Sequence, residues 1–173
     1  MTLDTDRQMD ARPGVLGIDI GGVVIDRVND VADTSFVGGR HLETAAVPGT
    51  IEALSRLVEE RFGPDVHLIS RCSPEAERKT REWLDHHNVF ARTGINESHL
   101  HFCRERLETA PIAEWLELTH FVDDRLEVLG YLKTVPHKYL FRAAEEEVVR
   151  HRWHLDTVIP VERWDDVTGL LLA

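Results

Sequence analysis

The sequence predicts a single α/β domain of three layers, with a central parallel β-sheet covered by helices on both faces. Short apolar stretches alternate with amphipathic stretches along most of the 173 residues, a pattern typical of parallel sheets with helical crossovers. Three of the apolar stretches end in polar side chains, at Asp19, at Ser70, and at Asp123 with Asp124. Because ligands bind beyond the carboxyl ends of the strands in such sheets, we expect a Rossmann-like fold with a site at that edge.

The first half of the chain is expected to supply two strands and two helices. Residues 15–20 form an apolar run that leads into an aspartate and two glycines, which is typical of a buried central strand. Residues 27–47 lack a clear period and predict a loop or small flap, after which a Pro-Gly-Thr sequence introduces an amphipathic helix at 50–62. An apolar strand at 66–70 is followed by a Ser-Pro pair, which predicts a helix at 74–87.

The second half continues the alternation of strands and helices. The predicted strands are 100–103, 120–122 and 138–141, and the predicted helices are 111–118, 126–132 and 161–172. Residues 14–173 are therefore expected to form one domain, preceded by a flexible polar tail at residues 1–13.

Composition narrows the class of function. The formal net charge is −11, which argues against general affinity for nucleic acid or an anionic membrane but is compatible with a local basic pocket for phosphate. The two cysteines, Cys72 and Cys103, are too few for a disulfide scaffold and favour a reducing compartment. The sequence contains neither an apolar run of about 18 residues nor the apolar stretch of a secretory signal. We therefore expect a cytoplasmic protein.

Three motifs follow the strands at which the site is expected. Residues 19–26 are Asp-Ile-Gly-Gly-Val-Val-Ile-Asp, residues 68–70 are Leu-Ile-Ser, and residues 121–124 are Phe-Val-Asp-Asp. In order and placement they resemble the first, second and fourth motifs of the haloacid dehalogenase (HAD) superfamily, whose first motif is DxDGTxxD. The resemblance covers residues 15 to about 142. It implies a HAD-like fold and a phosphatase-like member of that superfamily.

The resemblance implies a Mg²⁺-dependent phosphohydrolase with an aspartate nucleophile. Asp19 would attack phosphorus and form an aspartyl-phosphate, which splits one difficult step into two. Mg²⁺ prefers oxygen ligands, and the implied ligands are Asp19, the Gly21 carbonyl, Asp123 and Asp124. The implied contacts to substrate come from Ser70, Arg71 and Gly22. The expected cofactor is Mg²⁺, and the expected partner is a phosphorylated small molecule or macromolecule.

Two positions depart from the pattern of the family. Gly21 stands where the family has a second acid that transfers protons, and the loss of general acid–base help typically lowers the rate by about 10²–10⁴. The lysine of the third motif is expected near Thr109, but the segment 102–111 contains no lysine. Arg104 and Arg106 are candidate substitutes that do not stand at the matching position. Without a cation, the carboxylates and the phosphate repel one another unless Mg²⁺ compensates.

Little of the chain is available for a cap over the site. Residues 27–47 are too few for an independent cap domain, so we expect an open pocket without a large cap. By analogy, open sites of this family accept large substrates or use the surface of a protein partner as a lid.

Two functions from different classes follow from these motifs. The first is a weak or specialised Mg²⁺-dependent phosphohydrolase, which Asp19 favours. The second is a non-catalytic HAD-fold pseudoenzyme that binds phosphate or metal for regulation or partner binding, which Gly21 and the missing lysine favour. The sequence identifies no substrate.

Each site residue also has a structural interpretation. Asp19 and Ser70 belong to residue types that cap turns at strand ends. Asp124 belongs to a type that pairs with a neighbour such as Arg125 or caps the next helix, and Arg71 equally suits a solvated position.

Other polar residues allow further interpretations. The chain has ten histidines, but none has a cysteine or carboxylate partner at a spacing typical of zinc sites. We interpret Cys72 as a small, partly buried thiol and the three glutamates at 145–147 as a solvated face. Residues 148–154 mix bases with Trp153, which we expect to be packed or partner-facing rather than bound to nucleic acid.

Overall fold

The computed structural model describes residues 13–27 and 39–173, which form a six-stranded sheet flanked by helices. The strands are β1 (Leu16–Asp19), β2 (Val66–Arg71), β3 (Leu100–Cys103), β4 (His120–Asp123), β5 (His137–Phe141) and β6 (Ile159–Val161). Their order across the sheet is β3-β2-β1-β4-β5-β6, and all neighbours are parallel. The predicted Rossmann-like α/β fold with a central parallel sheet is confirmed.

Strand β1 lies inside the sheet because its side chains are apolar on both faces. Leu16, Gly17 and Ile18 are all buried, as expected of a strand that helices cover on both sides. From β1 the chain continues to β2 and β3 on one side, and it then returns past β1 to form β4 on the other side. This reversal creates a crevice at the carboxyl end of β1, where doubly wound sheets usually bind ligands.

Helices cover the two faces of the sheet. The α-helices of the described residues are α1 (Thr50–Leu57), α2 (Pro74–His86), α3 (Val89–Thr93), α4 (Thr109–Trp115), α5 (Leu126–Tyr131), α6 (Glu145–Arg150) and α7 (Trp164–Leu171). In the described part of the chain, buried apolar side chains form two separate clusters. Ile18 belongs to one cluster with Leu54 of α1 and Trp164 of α7, whereas Phe121 belongs to the other with Leu126 of α5. Two clusters on opposite faces are what a three-layer domain requires.

The helix starts that the sequence predicts after β1 and β2 are observed. Pro74 is the first residue of α2, and the Ser73 hydroxyl accepts a hydrogen bond from the Ala76 amide at 3.2 Å, the usual N-cap arrangement. Gly49 has a φ of 81° immediately before α1. A π-helical turn, Val58–Phe62, extends α1, so the amphipathic segment ends where it is expected to end.

The closing helix predicted at 161–172 begins three residues later than expected. Val161 does not open the closing helix but is the last residue of β6, and α7 begins at Trp164. Strand β6 has three residues and includes Pro160, which a sheet tolerates at its edge. So short a strand leaves no alternating pattern in the sequence.

The prediction of a solvated face at residues 145–147 is also wrong in part. These residues begin α6, and Glu147 is buried. Its carboxylate accepts a hydrogen bond from the Glu127 amide at 3.1 Å and lies 3.7 Å from an Arg125 nitrogen. These two contacts supply the polar partners that a buried carboxyl group requires.

All but the last residue of the predicted tail, and most of the predicted flap, lie outside the described residues, which exclude 1–12 and 28–38. The described part of the flap holds a 3₁₀ turn at His41–Glu43, and Ala46 forms a bridge with Ile25. Among the described residues there is no large cap over the sheet. None of the helices formed by residues 13–27 and 39–173 is long and apolar enough to cross a membrane.

Candidate active site

Three aspartates meet at the carboxyl edge of the sheet. Asp19 is the last residue of β1, Asp123 is the last residue of β4, and Asp124 follows it. One carboxylate oxygen from each lies within 4.8 Å of the others. The predicted convergence of Asp19 and Asp123 is therefore observed, and the separation is short enough for one ion with oxygen ligands at about 2.1 Å to bridge them.

Among the described residues, one fully buried oxygen of the three aspartates has no hydrogen-bond partner. An Asp123 oxygen (Oδ1) accepts the amide hydrogen of Arg125 at 2.8 Å. Asp124 Oδ2 lies 3.4 Å from Arg27 Nη1, whereas the buried Asp124 Oδ1 has no hydrogen-bond partner among the described residues. A buried carboxylate oxygen without a donor is costly, and a cation in the cluster would satisfy it.

Burial and mutual repulsion perturb these carboxyl groups. Burial, reinforced by the charge of Asp124, raises the pKa of Asp19 to about 8. Burial and the charge of Asp19 hold the pKa of Asp123 well above its usual range. The pKa of Asp124 is also raised by burial, and Arg27 and Arg125 partly oppose this shift. Ionisation of all three carboxyl groups at this spacing costs free energy unless a positive charge lies among them.

The turn after β1 requires glycine at residue 22. Gly22 has a φ of 81°, and a Cβ atom built on it would lie 2.3 Å from Asp124 Oδ2. The Gly22 amide donates to the Ile25 carbonyl at 2.8 Å. Gly22 therefore lets the chain turn closely past Asp124, while its own amide is engaged within the turn rather than directed at a substrate. The role of Gly22 is geometric.

Gly21 carries no φ constraint of this kind, but the space beside it is filled. A Cβ atom built on Gly21 would lie 2.6 Å from Arg27 Nη2 and 3.2 Å from Arg27 Nε. The guanidinium of Arg27 thus occupies the place into which a longer side chain at residue 21 would project.

Ser70 and Arg71 end strand β2, directly beside β1. Ser70 is buried and Arg71 is exposed. Both line a cavity of about 160 Å³ together with Gly21 and Arg27. The next residue, Cys72, is half-buried, which agrees with its interpretation as a small, partly buried thiol, and burial raises the pKa of that thiol.

Arginines surround the aspartate cluster. A narrow cavity of about 30 Å³ contains Asp19 and Asp123 and is lined by Arg27, Arg71, Arg106 and Arg125. This volume suits an ion or one or two water-sized groups. Arg27 also lines the adjoining cavity beside Ser70 and a third cavity of about 140 Å³ beside Asp124. The site is locally basic although the chain is acidic.

The position expected for the lysine of the third motif lies in this cavity. Thr109 is buried and lines the narrow cavity. Of the two proposed substitutes, Arg104 is bound to Glu77 at 2.6 Å and does not line the cavity, whereas Arg106 does and contacts Glu127. The sequence did not point to Arg27, because only the tight turn after β1 returns it to the aspartates.

A second group of described residues has metal-ligand spacing. Glu127, Glu147 and His151 offer ligand atoms within 4.8 Å of one another. The two carboxylates of this group are engaged by cationic side chains, since Glu127 pairs with Arg106 and Glu147 with Arg125. The aspartate cluster is therefore the better candidate for a cation.

Comparisons with known proteins give no family. No family model matches the chain, and no curated protein matches it. The fold and the site define an α/β protein with three clustered aspartates at the point where the strand order reverses.

Proposed function

We propose that this protein is a Mg²⁺-dependent phosphohydrolase of the HAD type, with Asp19 as the nucleophile. The observation that carries the proposal is the approach of three carboxylates to within 4.8 Å of one another in a cavity lined by arginines. Carboxylates suit a hard divalent cation, and arginines suit a phosphoryl group.

The donor set fits Mg²⁺. Asp19, Asp123 and Asp124 supply carboxylate oxygens, and the Gly21 carbonyl is close to them in the chain. The buried Asp124 Oδ1, which lacks a hydrogen-bond partner among the described residues, supports a cation at this place. When bound, Mg²⁺ would offset the carboxylate charges and polarise the phosphoryl group.

The other steps of the proposed reaction are assigned to three side chains. Asp19 attacks phosphorus and carries the phosphoryl group as an aspartyl-phosphate until water releases it. Arg71 and Ser70 lie on the neighbouring strand and bind the phosphoryl oxygens. Arg71 is exposed at the edge of the site, where an incoming phosphate meets it first.

The competing function is a HAD-fold module that binds phosphate or metal without catalysis. Two observations favour it. Gly21 provides no proton donor, and the buried Thr109 stands where a lysine is expected. An evolved binding pocket needs the cation and the arginines but does not need the attack geometry of Asp19.

The test is Mg²⁺-dependent release of phosphate from p-nitrophenyl phosphate. We expect measurable turnover by the wild type and loss to background in Asp19→Asn. Asp85→Asn, which changes an exposed aspartate on α2, is the matched control and should retain the wild-type rate. Absence of Asp19-dependent turnover even in Gly21→Asp/Thr109→Lys, which restores the acid and the lysine, would favour the binding module.

A further inference from the structure

The place of the missing proton donor is occupied by a permanent cation. Arg27 Nη2 and Nε lie 2.6 and 3.2 Å from the position of a Cβ atom on Gly21. A guanidinium remains protonated at neutral pH and does not act as a proton donor in catalysis. It can nevertheless donate several hydrogen bonds to an oxygen that gains negative charge.

Arg27 stands between the cavities that a substrate would span. It lines the narrow cavity with Asp19, and it also lines the cavity of about 160 Å³ beside Gly21 and Ser70. Arg71 lines the same two cavities. A phosphoryl group on Asp19 would therefore place its departing oxygen between two cations.

We infer that Arg27 stabilises the departing oxygen of the substrate as an anion, and that the substrates are acyl phosphates or phosphoanhydrides. This inference rests on the proposed function. The shared chemistry is a phosphoryl group whose leaving group departs as a carboxylate or a phosphate. The planar fork of an arginine matches both anions, whereas an alkoxide needs a proton that Gly21 cannot supply.

The reaction balances without a proton donor in its first step. An Asp19 oxygen forms a bond to phosphorus, and the bond from phosphorus to the departing oxygen breaks with its electron pair on that oxygen. Arg27 donates hydrogen bonds to the resulting anion. Water then attacks phosphorus and restores the Asp19 carboxylate. One proton of the water stays on the phosphate, and the other passes to solvent.

The same cavity also contains an acid that is an alternative to Arg27 as the group that assists the departing oxygen. Asp26 lines the cavity beside Gly21 and Ser70, and a carboxyl group there could serve as the proton donor for alkyl phosphates. Its Oδ1 lies 3.8 Å from Arg142 Nη1, so this carboxyl group already has a cationic partner. Among the described residues, the three heavy atoms nearest the position of a Cβ atom on Gly21 all belong to Arg27, so the geometry favours Arg27 over Asp26.

The experiment compares three substrates with Mg²⁺ present: acetyl phosphate, pyrophosphate and glycerol phosphate. In Arg27→Gln we expect kcat/KM to fall by about 10–10² for whichever of the first two is the substrate, and hardly at all for glycerol phosphate. Arg27→Lys keeps the charge and should retain part of the rate. Arg56→Gln, which changes an exposed arginine on α1, is the control and should match the wild type.

A binding measurement supplies a readout besides turnover. In an Asp19→Asn background, calorimetry should show that Arg27→Gln weakens the binding of pyrophosphate or acetate by about tenfold. Either of two results overturns this inference alone. One is Asp19-dependent turnover that Arg27→Gln does not change, and the other is turnover of glycerol phosphate that Asp26→Asn abolishes. Absence of any Asp19-dependent turnover overturns the proposed function as well.

Discussion

Asp19→Asn is expected to stabilise the protein without Mg²⁺ and to remove its stabilisation by Mg²⁺. The folded-state pKa of Asp19 is raised from 3.8 to about 8. A raised carboxyl pKa means that the stability contributed by the protonated group is present below pH 3.8 and is lost as the pH rises through about 8. Asparagine does not ionise, so the variant avoids this loss.

The size of the effect follows from the spacing of the carboxylates. Two unit charges no more than 4.8 Å apart repel by at least about 3.5 kcal/mol at an effective dielectric constant of about 20. Arg27 offsets part of this repulsion at Asp124. We therefore expect a net stabilisation of about 1–3 kcal/mol near pH 8, which corresponds to a rise in Tm of roughly 3–10 °C for a domain of this size.

The assay is thermal unfolding at about pH 5 and about pH 8, with and without Mg²⁺. At a concentration about 100 times its Kd, Mg²⁺ should stabilise the wild type by about 2.7 kcal/mol and Asp19→Asn by much less. Asp85→Asn should behave like the wild type in all four conditions. A destabilised Asp19→Asn protein, or equal stabilisation of both proteins by Mg²⁺, would refute the argument.

Three further predictions concern stability. Gly22→Ala places a Cβ 2.3 Å from Asp124 Oδ2 at a positive φ, so denaturant unfolding should show that the free energy of unfolding falls by about 1–3 kcal/mol. The control is Gly169→Ala, whose new Cβ meets nothing within 4 Å and which should be neutral or slightly stabilising. Burial lowers the pKa of His67 from 6.5 to about 4, so about 1–2 kcal/mol of stability present above pH 6.5 should be lost as the pH falls to about 4. His67→Gln should make the free energy of unfolding depend less on pH over this range. Trp164→Phe removes the 3.0 Å hydrogen bond from the indole to the backbone carbonyl in the turn after β1 and should lower the unfolding free energy by about 1–2 kcal/mol; an unchanged midpoint would contradict that role.

The residues that the sequence located well are those whose position follows from strand ends. Asp19, Ser70 and Asp123 each end an apolar strand, and parallel strands bring their carboxyl ends to one edge. The pairing of β1 with β2 and β4 then leaves little freedom in where these side chains lie.

The residues that the sequence missed depend on tertiary contacts. Arg27 reaches the aspartates only because Gly22 turns the chain back at a φ of 81°. Glu147 is buried because Arg125 lies against it, which no period in a run of three glutamates indicates. Pro160 argues against a strand unless that strand is at the sheet edge, and edge position is not a property of local sequence.

The proposed role of Asp19 is tested most directly by a crystal structure of the protein with Mg²⁺ and beryllofluoride, a mimic of the phosphoryl group. We expect beryllium bonded to an Asp19 oxygen, Mg²⁺ between Asp19 and Asp123, and fluorines near Arg71. Mg²⁺ bound instead beside Glu127 and Glu147, or beryllofluoride absent from Asp19 at saturating concentration, would contradict it.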